Sequence, residues 1–169
     1  MKRLIAVALA LSTIAAPAMA APVHIPVHIR TIAELPIVTM HPYDENANGD
    51  AAVAAAFARA AKSGKRVFID FGGNWCGDCV VLANFLELPE VKPVMAAHFE
   101  FVSVDVGREN KNLQIPARFG VDLKGGVPTV LIVEPDGKTI VDSGHIAALE
   151  DARHMTPQGL ADWLTMWIK

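Results

Sequence analysis

The feature that most constrains this chain is a Cys-x-x-Cys pair set at the mouth of a strand-to-helix junction. Residues 67–71, Val-Phe-Ile-Asp-Phe, read as a buried strand. Gly72-Gly73-Asn74 breaks it, and the spacing predicts a helix from Cys76 through Leu86. Cys76 and Cys79 are the only two cysteines. A bridge between them closes so small a loop that it removes little unfolded-state entropy, so a stabilising role explains it poorly. A closed zinc site needs four ligands, and no second Cys-x-x-Cys or nearby His pair supplies them. The pair asks for a chemical explanation. At a helix N-terminus, unpaired N–H groups and the macrodipole favour a Cys76 thiolate. Cys79 lies one turn further in, where it can resolve a mixed disulfide formed on Cys76.

The rest of the chain supplies an α/β frame. Lys2-Arg3, the apolar run 4–14, Pro17 and Ala18-Met19-Ala20 form the three regions of a cleaved secretory signal peptide, residues 1–20. That run is too short to span a bilayer, which takes about 20 residues. The implied location is periplasmic or secreted, where disulfides form and persist. Residues 21–49 read as an irregular, extended arm punctuated by four prolines, with Pro-Val-His-Ile twice in succession at 22–29. A short strand within 32–39 is confined to an edge by Pro36. His24 and His28 have no spacing that guarantees a shared face for a metal.

Residues 50–169 form the domain. Asp50 is a helix N-cap for an alanine-rich run over 51–62, stopped by Ser63-Gly64. After Pro89 a helical piece covers about 90–97, then a strand 99–105 and a short helix near 114–119. Strand 129–133, the turn Glu134-Pro135-Asp136-Gly137 and a return over 138–142 make a hairpin. A terminal helix starts at Thr156-Pro157, with Leu160, Trp163, Leu164 and Trp167 on one apolar face. This order implies a central mixed β-sheet flanked by helices on both faces. His145 and His154, with Glu150 and Arg153, read as a solvated helix face. Removing Lys2 and Arg3 from 15 basic residues leaves 13 against 18 acidic ones, a net charge near −5. With no basic run or aromatic-basic stripe, nucleic-acid binding has nothing to rest on.

Residues 67–71, then Trp75-Cys76-Gly77-Asp78-Cys79, then Gly126-Val127-Pro128-Thr129, resemble the thioredoxin superfamily in the right order. The resemblance implies a thioredoxin fold and a thiol:disulfide oxidoreductase cycling Cys76 and Cys79 between dithiol and disulfide. It implies a cis Pro128 beside that pair, with the Val127 backbone offering hydrogen bonds to substrate. Asp70, six positions before Cys76, matches the family's buried acid, implicated in proton transfer with the second cysteine; desolvation raises such a carboxyl's pKa. Trp75 flanks the site. No cofactor beyond the redox disulfide and no metal is implied.

Three departures from the family pattern stand out. Gly77-Asp78 replaces Gly-Pro, and the Asp78 carboxylate opposes the helix dipole at Cys76, which favours a reductant. Gly72 stands where thioredoxins usually carry tryptophan, and Val80-Val81 follow where a lysine is common. Residues 107–126 are longer than in the minimal fold, as in a bacterial thioredoxin-like subgroup. The expected partners are disulfide-bearing exported proteins or small disulfides, with a membrane thiol-transfer protein as electron donor. No dimerisation segment is evident, so the expected state is a monomer. The rival readings are a soft-metal-binding or chaperone-like module, and a thiol oxidase or isomerase.

Overall fold

The computed structural model describes residues 22–169; the leader read at 1–20 lies outside them. The sheet is built around β1 (Arg66–Gly72), whose residues from Val67 onward are all buried. β2 (Phe99–Asp105) pairs with it in parallel and β3 (Thr129–Val133) antiparallel, giving the order β2-β1-β3. A strand covered on both faces needs apolar side chains on both, and β1 has them. Phe68 points into one core with Leu82, Phe85, Leu160 and Trp163. Val67, Ile69 and Phe71 point into the other, with Val53, Ala56 and Ala60. Asp70 is the polar exception in this buried row, and it sits opposite Ser103 of β2.

Among the described residues, five α-helices close the two faces: α1 (Gly49–Ser63), α2 (Gly77–Leu86), α3 (Lys92–His98), α4 (Gln114–Ala117) and α5 (Pro157–Thr165). The mixed sheet with helices on both faces is the expected α/β architecture. Trp163 and Trp167 are core residues as expected, 5.9 Å apart in a T-shaped pair.

The structure corrects several local expectations. Asn48, not Asp50, caps α1, because its side chain accepts the Ala51 N–H at 3.0 Å; Asp50 lies in the first turn, near Gln114 and Arg118. Residues 32–39 hold a 3-10 turn, Ile32–Glu34, and no strand. The return of the hairpin is only a bridge at Ile140 opposite Val133. There the buried Asp142 carboxylate accepts the Ile132 N–H at 2.9 Å, so a side chain takes over where the ladder would continue. The segment carrying His145, Glu150, Arg153 and His154 is a run of turns ending in a 3-10 helix, Ala152–His154, rather than a solvated helix face.

The arm is laid against the domain, with Ile25, Leu35 and Tyr43 buried. In the doubled Pro-Val-His-Ile, Ile25 and its alternates Val27 and Ile29 turn inward, leaving both His24 and His28 exposed. Three side-chain amides fasten the arm's backbone as a neighbouring strand would. Gln158 of α5 accepts from Val27 N–H at 3.1 Å and donates to Ile25 O at 3.0 Å. Asn84 of α2 accepts from Val38 and Thr39 N–H and donates to Thr39 O. Asn74 accepts from Tyr43 N–H and donates to Tyr43 O, each at 3.0 Å.

Candidate active site

β1 ends at Gly72, the chain turns through Gly73-Asn74-Trp75, and Cys76 becomes the N-cap of α2. Cys76 is extended at φ −87° and ψ 113°, and its Sγ accepts the Cys79 N–H at 3.1 Å. A sulfur in the N-cap position takes the place of the usual cap oxygen, so a thiolate there gains an N–H donor and the positive end of the helix. Cys76 and Cys79 form a disulfide. Cys76 is 5 % exposed and Cys79 fully buried, so only the first sulfur faces an incoming partner.

The opposite wall comes from the loop before β3. Val127–Pro128 is a cis peptide bond, and the Val127 carbonyl oxygen lies 3.3 Å from Cys76 Sγ. Gly126 precedes them at φ +119°, a backbone region closed to side chains, and the Thr129 hydroxyl bonds its carbonyl at 2.7 Å. The Glu150 carboxylate lies against Gly125 and Gly126; a Cβ at Gly125 would stand 2.7 Å from Glu150 Oε1.

Trp75 is 45 % exposed beside the disulfide. Its indole N–H donates to Gly107 O at 2.5 Å, and the Arg108 guanidinium sits 5.1 Å from its ring centroid. The long segment after β2 therefore begins by bracing the site's aromatic edge. Lys111 ties that loop back, reaching Asp105 at 2.7 Å and the Glu45 carbonyl.

Asp70 lies in the buried row of β1, and burial pushes its carboxyl up to about 7 while a hydrogen bond from Tyr43 pulls it the other way. Tyr43 Oη donates to Asp70 Oδ2 at 2.8 Å; Oδ1 has no protein partner. Asp70 also lines a cleft of about 460 Å³, walled by Val38, Pro42, Leu86, Met95 and Phe101.

Asp78 is where the electrostatic expectation needs correcting. Its carboxylate is largely buried and fully engaged by Arg153, whose backbone N–H, Nε and Nη2 reach it at 2.9, 3.0 and 2.9 Å. The same guanidinium covers Gly77, where a Cβ would come within 3.1 Å of Nη1. A cation thus stands over the two residues between the cysteines and offsets the charge that was to oppose the thiolate. Paired in this way, Asp78 does not tilt the cysteines towards reduction as its charge alone implied.

Three residues of the site carry no site role in the sequence pattern: Tyr43, Asn74, which reads there only as part of a strand break, and Arg153, which reads as solvated surface. Gly72 held a clue to the first. Where the family's usual tryptophan is missing, something else must fill the space, and a Cβ at Gly72 would overlap the Tyr43 hydroxyl.

A buried redox disulfide at a helix N-cap, faced by a cis-proline loop on a mixed sheet, defines a thiol–disulfide site of the thioredoxin type. The thioredoxin-like family profile matches residues 48–135, and the chain belongs to that family. It is 37 % identical over 87 residues to a protein disulfide-isomerase of Zea mays, covering 51 % of this chain and 16 % of that protein. It is 33 % identical over 84 residues to a thioredoxin of Borreliella burgdorferi, covering 50 % of this chain and 63 % of that one. The chain thus spans less than two thirds of the length of either relative. Among solved structures, a disulphide isomerase from Xylella fastidiosa superposes with a TM-score of 0.68 at 34 % identity, over 75 % of this chain and 95 % of that one.

Proposed function

We propose that this protein is an exported thiol:disulfide oxidoreductase that reduces disulfides of exported proteins or small disulfides through Cys76 and Cys79. The observation that carries the reading is the Cys76 sulfur, capped by the Cys79 N–H and set 3.3 Å from the Val127 carbonyl beside cis Pro128. Cys76 thiolate attacks a substrate sulfur, a mixed disulfide forms, and Cys79 displaces the substrate as a thiolate. Asp70 takes the Cys79 proton in that step. A membrane thiol-transfer protein returns the electrons, because an exported reductase has no soluble reducing pool beside it.

Equilibration with a glutathione buffer tests the direction. A potential near −270 mV is the expected result, and one near −120 mV rejects the reductase reading. Cys79→Ala should accumulate mixed disulfides on Cys76, whose partners identify the substrates. Fractionation and N-terminal sequencing of the mature protein test export.

Isomerisation is the second reading, favoured by the names of the Xylella fastidiosa and Zea mays proteins. Recovery of activity from scrambled ribonuclease, without net change in thiol content, would establish it.

A further inference from the structure

We infer that the Tyr43 hydroxyl, delivered by the N-terminal arm, is the proton relay between Asp70 and Cys79. This rests on the dithiol cycle proposed above and adds a residue to it. Two side chains close on one point at the end of β1. A Cβ at Gly72 would overlap the Tyr43 hydroxyl oxygen, stand 2.6 Å from Tyr43 Cζ, and lie 2.8 Å from Cys79 Sγ. The phenol and the resolving sulfur therefore flank the same empty position, one that only glycine leaves open. From there the phenol donates to Asp70 Oδ2 at 2.8 Å, and its own oxygen lone pairs remain free to accept.

The placement is keyed to the cysteines. Asn74, two residues before Cys76, holds both the N–H and the carbonyl of Tyr43, so the arm's anchor and the redox motif move as one piece. Tyr43 is 3 % exposed. Burial, then the nearby Asp70 carboxylate, hold its hydroxyl well above the ordinary tyrosine range, so it passes protons without resting as a phenolate. Other ionisable groups near Asp70 are few. Cys79 of α2 borders the Gly72 position beside Tyr43, Glu87 and Lys92 line the cleft as a 2.6 Å ion pair, and Asp105 at the end of β2 acts on Tyr43.

The step balances. In the mixed disulfide, Cys79 passes its S–H proton to Tyr43 Oη as the phenol proton moves to Asp70 Oδ2. The Cys79 thiolate attacks Cys76 Sγ, the Cys76–Cys79 bond forms, and the bond from Cys76 to the substrate sulfur breaks. The electron pair leaves on the substrate thiolate. Asp70 ends protonated and Tyr43 ends neutral, as it began; reduction of the Cys76–Cys79 bond runs the same transfers backwards.

The test uses the reduced mature chain and Ellman's disulfide, which releases one chromophoric thiolate when Cys76 attacks and a second when Cys79 resolves. Tyr43→Phe keeps the ring and removes the relay. It should slow the second release by roughly 10²-fold, with the first release as internal reference, and make the second rate climb with pH without the break set by Asp70. Asp70→Asn should slow the same phase, and the double variant should be no slower than the slower single one. In the oxidised protein, where no turnover is needed, carbon-13 titration should show the Asp70 carboxyl at higher pH in Tyr43→Phe. Unchanged second-phase rates and pH profile in a folded Tyr43→Phe overturn the relay. Asn74→Ala, which frees the Tyr43 backbone, gives an independent variant expected to slow the same phase. Insulin turnover by the wild type tests the oxidoreductase reading separately, since this dithiol reacts with Ellman's disulfide whatever its natural substrate.

Discussion

Arg153 closes on Asp78 through its backbone N–H and two guanidinium nitrogens, placing a cation directly over the Gly77-Asp78 pair between the cysteines. The carboxylate two residues beyond Cys76 is therefore one half of an ion pair. The hydrogen bond to Asp78, with that residue's charge, holds the Arg153 guanidinium above its usual range, so it stays charged under all working conditions.

Arg153→Gln should expose the Asp78 charge to Cys76. The uncompensated carboxylate is expected to make the Cys76 thiolate less stable. The potential should become more negative, by about 30 mV for each tenfold loss of thiolate stabilisation. Alkylation rate against pH reads the first, and glutathione equilibration the second. An unchanged alkylation profile would mean that Asp78 is screened without Arg153.

Asp70 makes stability depend on pH. Its folded carboxyl is raised from 3.8 to about 7, so between those values the native state holds a proton that the unfolded chain has released. Stability is therefore highest below the lower value and declines as pH rises towards about 7, by at most about 4 kcal/mol. Asp142, raised to about 6 by burial, adds a decline of the same sign over a narrower window. Urea titrations from pH 4 to 8 should show this slope in the oxidised protein. Asp70→Asn should flatten it and leave the Asp142 part.

Asn84 ties α2 to the arm, with its oxygen taking the Val38 and Thr39 N–H groups and its nitrogen giving to the Thr39 and Val80 carbonyls. Asn84→Ala leaves those backbone groups without partners. A loss of about 2–3 kcal/mol is expected in chemical denaturation. Amide exchange should quicken at Val38 and Thr39 before it quickens in β1, because the arm is released first.

Gly72→Ala places a methyl where Tyr43 and Cys79 already sit. Overpacking of this kind costs about 1–3 kcal/mol. The expected signature is a shifted Tyr43 absorbance and a weakened Asp70 hydrogen bond, with β1 still paired to β2 and β3. Adding Tyr43→Ala to Gly72→Ala should recover part of the lost stability in a thermal melt.

The central strands, α2 and the position of the disulfide were legible in the sequence because local signals agreed. Apolar runs marked β1, β2 and β3, and glycine breaks with the Cys-x-x-Cys spacing marked the N-terminus of α2. Thr156-Pro157 marked the start of α5 in the same way, and Thr156 does cap it through the Gly159 N–H. The hairpin return failed because its pairing depends on Asp142, whose carboxylate replaces a backbone partner; β-propensity carries no record of that.

By itself, then, the sequence determined which backbone segments are apolar enough to be buried and where the two sulfurs stand on them. Their chemistry is local: a cysteine at a helix N-terminus is already most of a redox centre. Tertiary structure alone decided what surrounds those sulfurs. Tyr43 is 27 residues from Asp70 and Arg153 is 75 from Asp78, so no periodicity couples them. Asn74, Asn84 and Gln158 are polar residues with nothing in their spacing to foretell a paired backbone. Each contact exists because the packed sheet brings distant segments together, and because a buried carboxylate or amide must find partners once water is excluded.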